Sequence, residues 1–383
     1  MLVVVLLAGR VPVVERALGQ DRLIAWHRRL APWSLAIIAL HGALITTGYA
    51  ASARVGLVHQ YWLLVRTYPG ILAATVAFGL LVAAGISSAR IARRRLRYET
   101  WWAVHLYTYL ALGLAFSHQI DTGASFVGHP ATRIWWTVLW VGTGGVVLAY
   151  RVLLPLWRSV VHGLTVVSVD RVAPGVVSVV CRGRQVGRMR VAGGQFFQWR
   201  ILTRGLWWQA HPYSLSAMPQ PPYVRFTVKD LGDHSGALAR LAPGTRVAME
   251  GPYGAFTPDA RHGDRVALIG AGVGVTPLVA LLEDLPAHVD VVVVCRAHSA
   301  REVIHGEELR ALCAERRRGR LHEIVGSRRE TMLDARALAR LIPDIATRDV
   351  YICGPTGFTA SLQRAVGSLG VASDRVHHET FAF

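Results

Sequence analysis

Arg265 to Pro277 reads RVALIGAGVGVTP. The run Arg265–Ile269 shows no polar alternation, as expected of a strand buried on both faces of a parallel sheet. It leads straight into Gly270, Gly272 and Gly274. Glycines at that spacing let backbone amides approach a pyrophosphate, and the helix that follows adds the positive end of its dipole. Thr276 and Pro277 stand where a GxGxxG loop has its third glycine region, so the loop is a variant of that pattern.

Working outward, three more apolar runs follow at Val289–Cys295, Leu321–Val325 and Asp349–Cys353. Helical segments near Pro277–Glu283, Glu307–Arg316, Ala335–Leu341 and Thr356–Leu369 separate them. Strand–helix alternation of this kind predicts a doubly wound α/β nucleotide-binding domain over residues 263–383. Upstream the rhythm changes. Short β-like runs at Leu164–Val169, Val176–Cys181, Gln195–Trp199, Val224–Lys229 and Arg246–Glu250 are punctuated by Gly and Pro. That pattern predicts a small antiparallel β-barrel over residues 161–262.

Residues 1–160 are different again. The chain has 383 residues, 52% of them apolar and 17% charged, and the long apolar runs concentrate in this first part. Trp33–Ala50, Pro69–Ala89, Trp101–Ile120 and Ile134–Leu156 are long enough to span a bilayer as a helical bundle. The opening run Leu2–Ala8 is too short to span and lacks the basic start and cleavage site of a signal peptide; it reads as the end of a span whose beginning is absent. Of 42 cations, Lys229 is the only lysine. Arg10, Arg16, Arg22, Arg28 and Arg29 precede the first full span, and Arg90, Arg93, Arg94, Arg95 and Arg97 lie between the second and third. The opposite loops hold only Arg54, Arg66 and Arg133. The Arg-rich side is therefore expected in the cytoplasm, together with everything after the fourth span. The net charge of +18 is assigned to this membrane setting rather than to nucleic acid.

Four histidines stand out. His27 and His41 flank the first full span, and His105 and His118 lie on the third. An ionisable side chain within a span is costly and marks a functional position. At ~1.5 Å rise per residue the two pairs are separated by about 21 and 20 Å along their helices. They are expected to meet at two levels, His27 with His105 and His41 with His118. Each level offers two neutral imidazoles to one haem iron. Fourteen residues return nearly to the same helix face, but thirteen do not, so the His105–His118 helix must twist, bulge or present its histidines at different azimuths. His59 and His129 are expected in solvated outer loops. Cys181, Cys295, Cys313 and Cys353 lie too far apart for a zinc ribbon, an iron–sulfur cluster or a disulfide scaffold.

From Ala192 onward the chain contains AGGQFFQWR, HPYSLS, VKDLGDHS, EGPYG, GAGVGVTP, VYICGPTGF and HHETFAF, in that order. This resembles the ferredoxin–NADP reductase-like flavin reductases. With the paired membrane histidines, the whole resembles the ferric reductase/NADPH oxidase family. The resemblance implies that His211, Pro212, Tyr213 and Ser214 form the flavin loop, with the aromatic ring packed on the flavin and the hydroxyl bonded to the isoalloxazine. It implies that Gly232 and Ser235 contact the FAD pyrophosphate, and that Gly251–Gly254 shapes the edge of the barrel. Cys353, Gly354 and Pro355 would sit beside the nicotinamide, and the terminal Phe383 would stack on the flavin. Arg296, at the end of the second strand of its domain, favours the 2′-phosphate of NADPH over the ribose hydroxyls of NADH.

The expected activity is transmembrane oxidoreduction in the cell membrane. NADPH would deliver electrons through FAD and two b-type haems to an outer acceptor, which is oxygen, a ferric complex or a protein. Two other arrangements remain open: a haem-free membrane-anchored flavin reductase serving a cytosolic protein, and an electron-conduit subunit of a larger complex.

Overall fold

The computed structural model describes residues 1–96, 98–327 and 330–381. The chain divides into two compact units, Met1–Arg151 and Val152–Phe383. The first is helical: α1 (Leu2–Leu7), α2 (Pro12–Leu18), α3 (Gln20–Ala53), α4 (Leu57–Thr67), α5 (Ile71–Ser88), α6 (Arg90–Arg95), α7 (Tyr98–Thr122) and α8 (Pro130–Leu148). Among the described residues, three stretches are long and apolar enough to cross a membrane: Arg22–Ala53, Ile71–Ser88 and Pro130–His162. Trp33, Ile37, Ile134, Val138 and Val141 are all more than 60% exposed, which fits lipid as their surroundings.

The expected third span, Trp101–Ile120, lies within α7 but is not among those three. α7 is long enough at 25 residues. Its mean apolar character is diluted by the polar groups it carries, His105, His118 and Gln119 among them. His59, expected in a loop, is on helix α4.

The third of those stretches continues α8 through a π-helical turn, Ala149–Leu153, into α9 (Leu154–His162). Pro155 has no N–H to give to the preceding turn, which accounts for the local change of register. Within the second unit, α9 is fastened to the antiparallel sheet. Arg158 donates to the Gly251 carbonyl, and the Ser159 hydroxyl lies 3.2 Å from both the carbonyl oxygen and the amide nitrogen of Met249.

The second unit holds two sheets. The first comprises β1 (Leu164–Ala173), β2 (Val176–Arg182), β3 (Phe196–Ile201), β4 (His211–Ser214), β5 (Tyr223–Lys229) and β6 (Arg246–Tyr253), in the order β4-β3-β6-β1-β2-β5. Every pairing is antiparallel, and the two edges touch through a single bridge, Leu215–Phe226. Alternation places Phe197, Trp199 and Ile201 in the core beneath Phe226. The short helix α10 (Asp233–Ala237) follows β5.

The second sheet comprises β7 (Arg265–Ala271), β8 (Asp290–Ala297), β9 (Gly319–Val325), β10 (Asp349–Pro355) and β11 (Val376–Phe381), all parallel, in the order β11-β10-β7-β8-β9. Helices α11 (Thr276–Asp284), α12 (Gly306–Ala314), α13 (Ala335–Leu341) and α14 (Thr356–Ser368) connect the strands. Val266 and Leu268 face one core while Ala267 and Ile269 face the other, so the sheet is buried on both sides. All four predicted strands of this sheet form; the fifth, β11, lacks an apolar run and was not expected.

Candidate functional site

The strand–loop–helix expected at Gly270–Pro277 forms, with α11 starting at Thr276 and Pro277 in its first turn. Gly272 adopts φ +54°, a conformation that disfavours any side chain. A Cβ on Gly274 would run into the Cys353 carbonyl, so the loop passes directly against the end of β10. A cavity of about 460 Å³ opens at the carboxyl ends of the parallel strands. Gly272, Arg296, His298, Thr331, Pro355 and Phe358 line it, and Lys229 reaches it from β5. Parallel α/β sheets bind ligands at this edge. Lys229, Arg296 and His298 make it suitable for phosphate. The Arg296 guanidinium makes long contacts of 3.4 Å to the carbonyls of Thr331 and Gly326.

On the antiparallel sheet, His211, Pro212, Tyr213 and Ser214 are the whole of edge strand β4, paired with Trp199, Gln198, Phe197 and Phe196 respectively. Tyr213 lies parallel to Phe226 at 5.7 Å and to His211 at 6.1 Å. Burial pushes its phenol well above the ordinary value, so it stays neutral. The Ser214 hydroxyl is buried and has no hydrogen-bond partner, and neither has that of Thr276 at the head of α11. A buried orphan hydroxyl calls for a partner outside the protein. Both orphans fall on residues expected to hold cofactor, so the residues present fit a bound flavin and nucleotide.

The turn after β5 is closed by its own side chains. Leu231 N–H donates to the Ser235 hydroxyl at 2.8 Å, and Gly232 N–H to Asp230 at 3.1 Å. Gly232 has φ +146°. Cys353 is fully buried, and burial, reinforced by Glu379, pushes its thiol well above the ordinary value. It therefore remains a neutral thiol packed in the core. Gly354 lies against Phe358, where a Cβ would come within 2.9 Å of the ring. Phe383 lies outside the described residues.

Sequence reasoning missed Arg225. From β5 it bonds the Ser216 hydroxyl at 3.0 Å and the Glu308 carboxylate at 2.7 Å, joining the flavin segment to α12. Burial opposes ionisation of Glu308, but His305 and Arg225 more than offset it and hold the carboxyl below its ordinary value. His298 and Phe358 were missed as well. His298 stands two residues beyond Arg296, and Phe358 closes the quoted VYICGPTGF motif, so both had a signal.

In the helical unit the rings of His27 and His105 lie 6.2 Å apart, centre to centre, at 62°. Two imidazoles bound to opposite faces of one metal, at the ~2 Å bond length usual for imidazole nitrogen, place their ring centres roughly 6 Å apart. His27 Nδ1 lies 2.8 Å from the Val4 carbonyl, to which it donates. That bond fixes the proton on Nδ1 and leaves Nε2 with a lone pair. His105 stacks on Trp101 at 5.1 Å, and its Nδ1 is buried without a partner. His118 Nδ1 lies 2.9 Å from the Thr122 hydroxyl, which gives its own proton to the His118 carbonyl at 2.6 Å. The hydroxyl must therefore accept from Nδ1–H, which leaves Nε2 of His118 free to ligate. His41 is exposed. α7 is α-helical throughout with no bulge, so His105 and His118 leave it at different azimuths. The spacing of His27 and His105 fits haem iron.

Residues 1–116 match the family described as ferric reductase like transmembrane component. The flavohemoprotein of Bordetella pertussis is 34% identical over 212 residues, which is 49% of this chain and 52% of that protein. An NADPH oxidoreductase of Mycobacterium tuberculosis is 31% identical over 200 residues, again 49% of this chain and 52% of that protein. The chain thus spans about half the length of the curated relatives it matches. Among solved structures, the flavohemoglobin of Malassezia yamatoensis, with bound FAD and haem, aligns at a TM-score of 0.50 and 20% identity. That alignment covers 85% of this chain and 84% of that one, and at such identity it speaks for the fold alone.

Proposed function

We propose that this chain, a ferric reductase-like transmembrane component joined to a flavoprotein reductase-like module, is a multi-pass NADPH-dependent oxidoreductase that delivers electrons across the cell membrane to an outer acceptor. The division is a helical haem domain over 1–160, an FAD-binding β-barrel over 161–262 and an NADPH-binding α/β domain over 263–383, the last two in the cytoplasm. When bound, FAD takes the electron pair of the nucleotide and releases electrons singly, and two b-type haems relay them through the apolar layer.

The chain's own residues position and insulate. Arg296, with Lys229 and His298 nearby, receives the nucleotide phosphates, and the Gly270–Gly274 loop lets backbone amides approach them. Ser214 would donate to the isoalloxazine and Tyr213 would pack on it, while Gly232 and Ser235 would hold the FAD pyrophosphate. Gly354 and Pro355 would receive the nicotinamide, with Cys353 packed beneath them in the core, and Phe383 would stack on the flavin as the family resemblance implies. His27 with His105, and His41 with His118, would hold the two haem irons.

One observation carries the reading: the His27–His105 pair, spaced for a shared metal, on a chain that also holds a buried orphan hydroxyl in its flavin segment. The test is an absorption spectrum of the detergent-purified protein before and after NADPH, with oxygen excluded. A haem spectrum that NADPH converts to the reduced form, with a flavin shoulder that bleaches, is expected. A yellow, haem-free preparation would instead favour a membrane-anchored flavin reductase serving a cytosolic partner. Turnover of NADPH with oxygen or a ferric chelate by the isolated protein argues against a conduit subunit that works only in a complex, and comparing the two acceptors ranks them.

A further inference from the structure

At the amino-terminal edge of the parallel sheet, opposite the nucleotide cavity, three side chains converge from distant parts of the chain. His262 precedes β7, Asp349 begins β10 and His377 is the second residue of β11. His262 Nδ1 and His377 Nε2 lie 3.2 and 3.3 Å from the same oxygen, Asp349 Oδ1. The three atoms all lie within 4.8 Å of one another. Asp349 is fully buried, His377 nearly so, and His262 is 46% exposed, which leaves one side open to water.

The arrangement is ill-suited to a simple hydrogen-bonded triad. The other oxygen of Asp349 is already satisfied by the backbone amides of His262 and Gly263, each at 3.1 Å. The remaining oxygen faces two imidazoles at distances longer than the ~2.7–2.9 Å of a charge-assisted bond. Those distances match the edge of a tetrahedron, about 3.3 Å when each ligand stands ~2.0–2.1 Å from a central zinc ion. The surroundings also resemble a ligand shell. The second nitrogen of His262, Nε2, faces Asp374 at 3.9 Å, and the ring of His377 is braced by Tyr351 at 4.5 Å. Carboxylates behind ligating imidazoles, and packing that fixes their rings, are usual at metal sites.

We propose that His262, Asp349 and His377 form a structural zinc site, completed by water, that clips the final strand β11 and the segment before β7 to the base of β10. Two imidazoles and one carboxylate are a zinc ligand set. The ion would close long loops between segments that are remote in sequence, which is where a clip stabilises most. This site stands apart from electron transfer, so its test does not depend on turnover.

The test uses tag-free, detergent-purified full-length chain, stripped with chelator and dialysed against buffered free zinc, with zinc measured by elemental analysis. The wild type is expected to retain about one zinc per chain. His262→Gln and His377→Gln should each weaken retention by at least the ~10–100-fold that loss of an outer-shell partner costs, with flavin content unchanged. His262 is half exposed, so its variant keeps the fold even if the His377 variant does not. Zinc-edge X-ray absorption should show two imidazoles in the shell. A wild type that retains no zinc, variants that retain as much as the wild type, or a shell without histidine would each overturn the proposal.

Discussion

The ring centres of His27 and His105 stand 6.2 Å apart, and the Val4 carbonyl 2.8 Å from His27 Nδ1 fixes which nitrogen of that ring is free. The partner is on another helix, its own Nδ1 is buried and unpartnered, and the spacing is that of two ligands on one metal. His105→Ala should therefore remove haem while leaving flavin bound. The haem-to-flavin ratio, read by pyridine haemochrome and released flavin, is expected to fall by about half or more. An unchanged ratio with unchanged reduction by NADPH would remove the ligand assignment.

The Ser214 hydroxyl is buried without a partner, so it costs stability until something accepts its proton. Ser214→Ala should then weaken FAD binding by roughly 5- to 10-fold, the value of about 1 kcal/mol for one hydrogen bond. The apoprotein should melt no earlier than the wild type. Fluorescence titration with FAD and thermal unfolding of the apoprotein separate the two effects. Equal loss in both would mean that the hydroxyl serves the fold instead.

Arg296 ends β8 and lines the cavity at the carboxyl edge of the sheet, together with Lys229 and His298. A guanidinium at that edge is suited to bind a phosphate through paired, charge-assisted bonds. Arg296→Ala should raise KM for NADPH by about 10-fold or more, since a charge-assisted bond contributes ~1.5–3 kcal/mol, and change KM for NADH little. Steady-state kinetics with both nucleotides decide it, and equal effects would end the 2′-phosphate argument.

How much of this was legible in the sequence depends on where each residue sits. Central strands announced themselves: Val291–Val294 are fully buried on both faces and can be nothing but apolar. The two unexpected strands, β4 and β11, are both sheet edges. An edge strand tolerates Pro212, because one side of its backbone needs no partner, and tolerates the polar HHET run of β11. The AGG motif at Ala192–Gly194 read as part of a flavin module, yet Gly193 donates to Asp284 and leaves no room for a Cβ against the Ala280 carbonyl. It is a packing junction with α11. The His27–His105 pairing was readable because two histidine pairs stand at matched depth on two spans. The His262–Asp349–His377 cluster was not, because only the parallel register of β10 and β11 brings those residues together.

The Arg225–Glu308 pair ties β5 to α12 at 2.7 Å. Glu308 is faced by Arg225 and His305, and its charge also acts on Glu283. Its carboxyl sits below the ordinary 4.5. A carboxyl lowered on folding stabilises the protein fully above its unfolded value, and that contribution is lost as pH falls through the folded value. Glu283 works the other way: burial raises it, so it holds a proton to higher pH and releases strain on acidification. The net acid sensitivity of this junction should therefore belong to Glu308 and appear below about pH 4.5. Glu308→Gln should cost about 1.5–3 kcal/mol at pH 7, the range for a hydrogen bond to a charged partner, and should flatten the fall in stability below pH 4.5. Thermal melts of the detergent-purified protein from pH 7 to pH 3.5 measure both. A variant that loses stability at neutral pH but keeps the full acid-induced fall would place the sensitive carboxylate elsewhere.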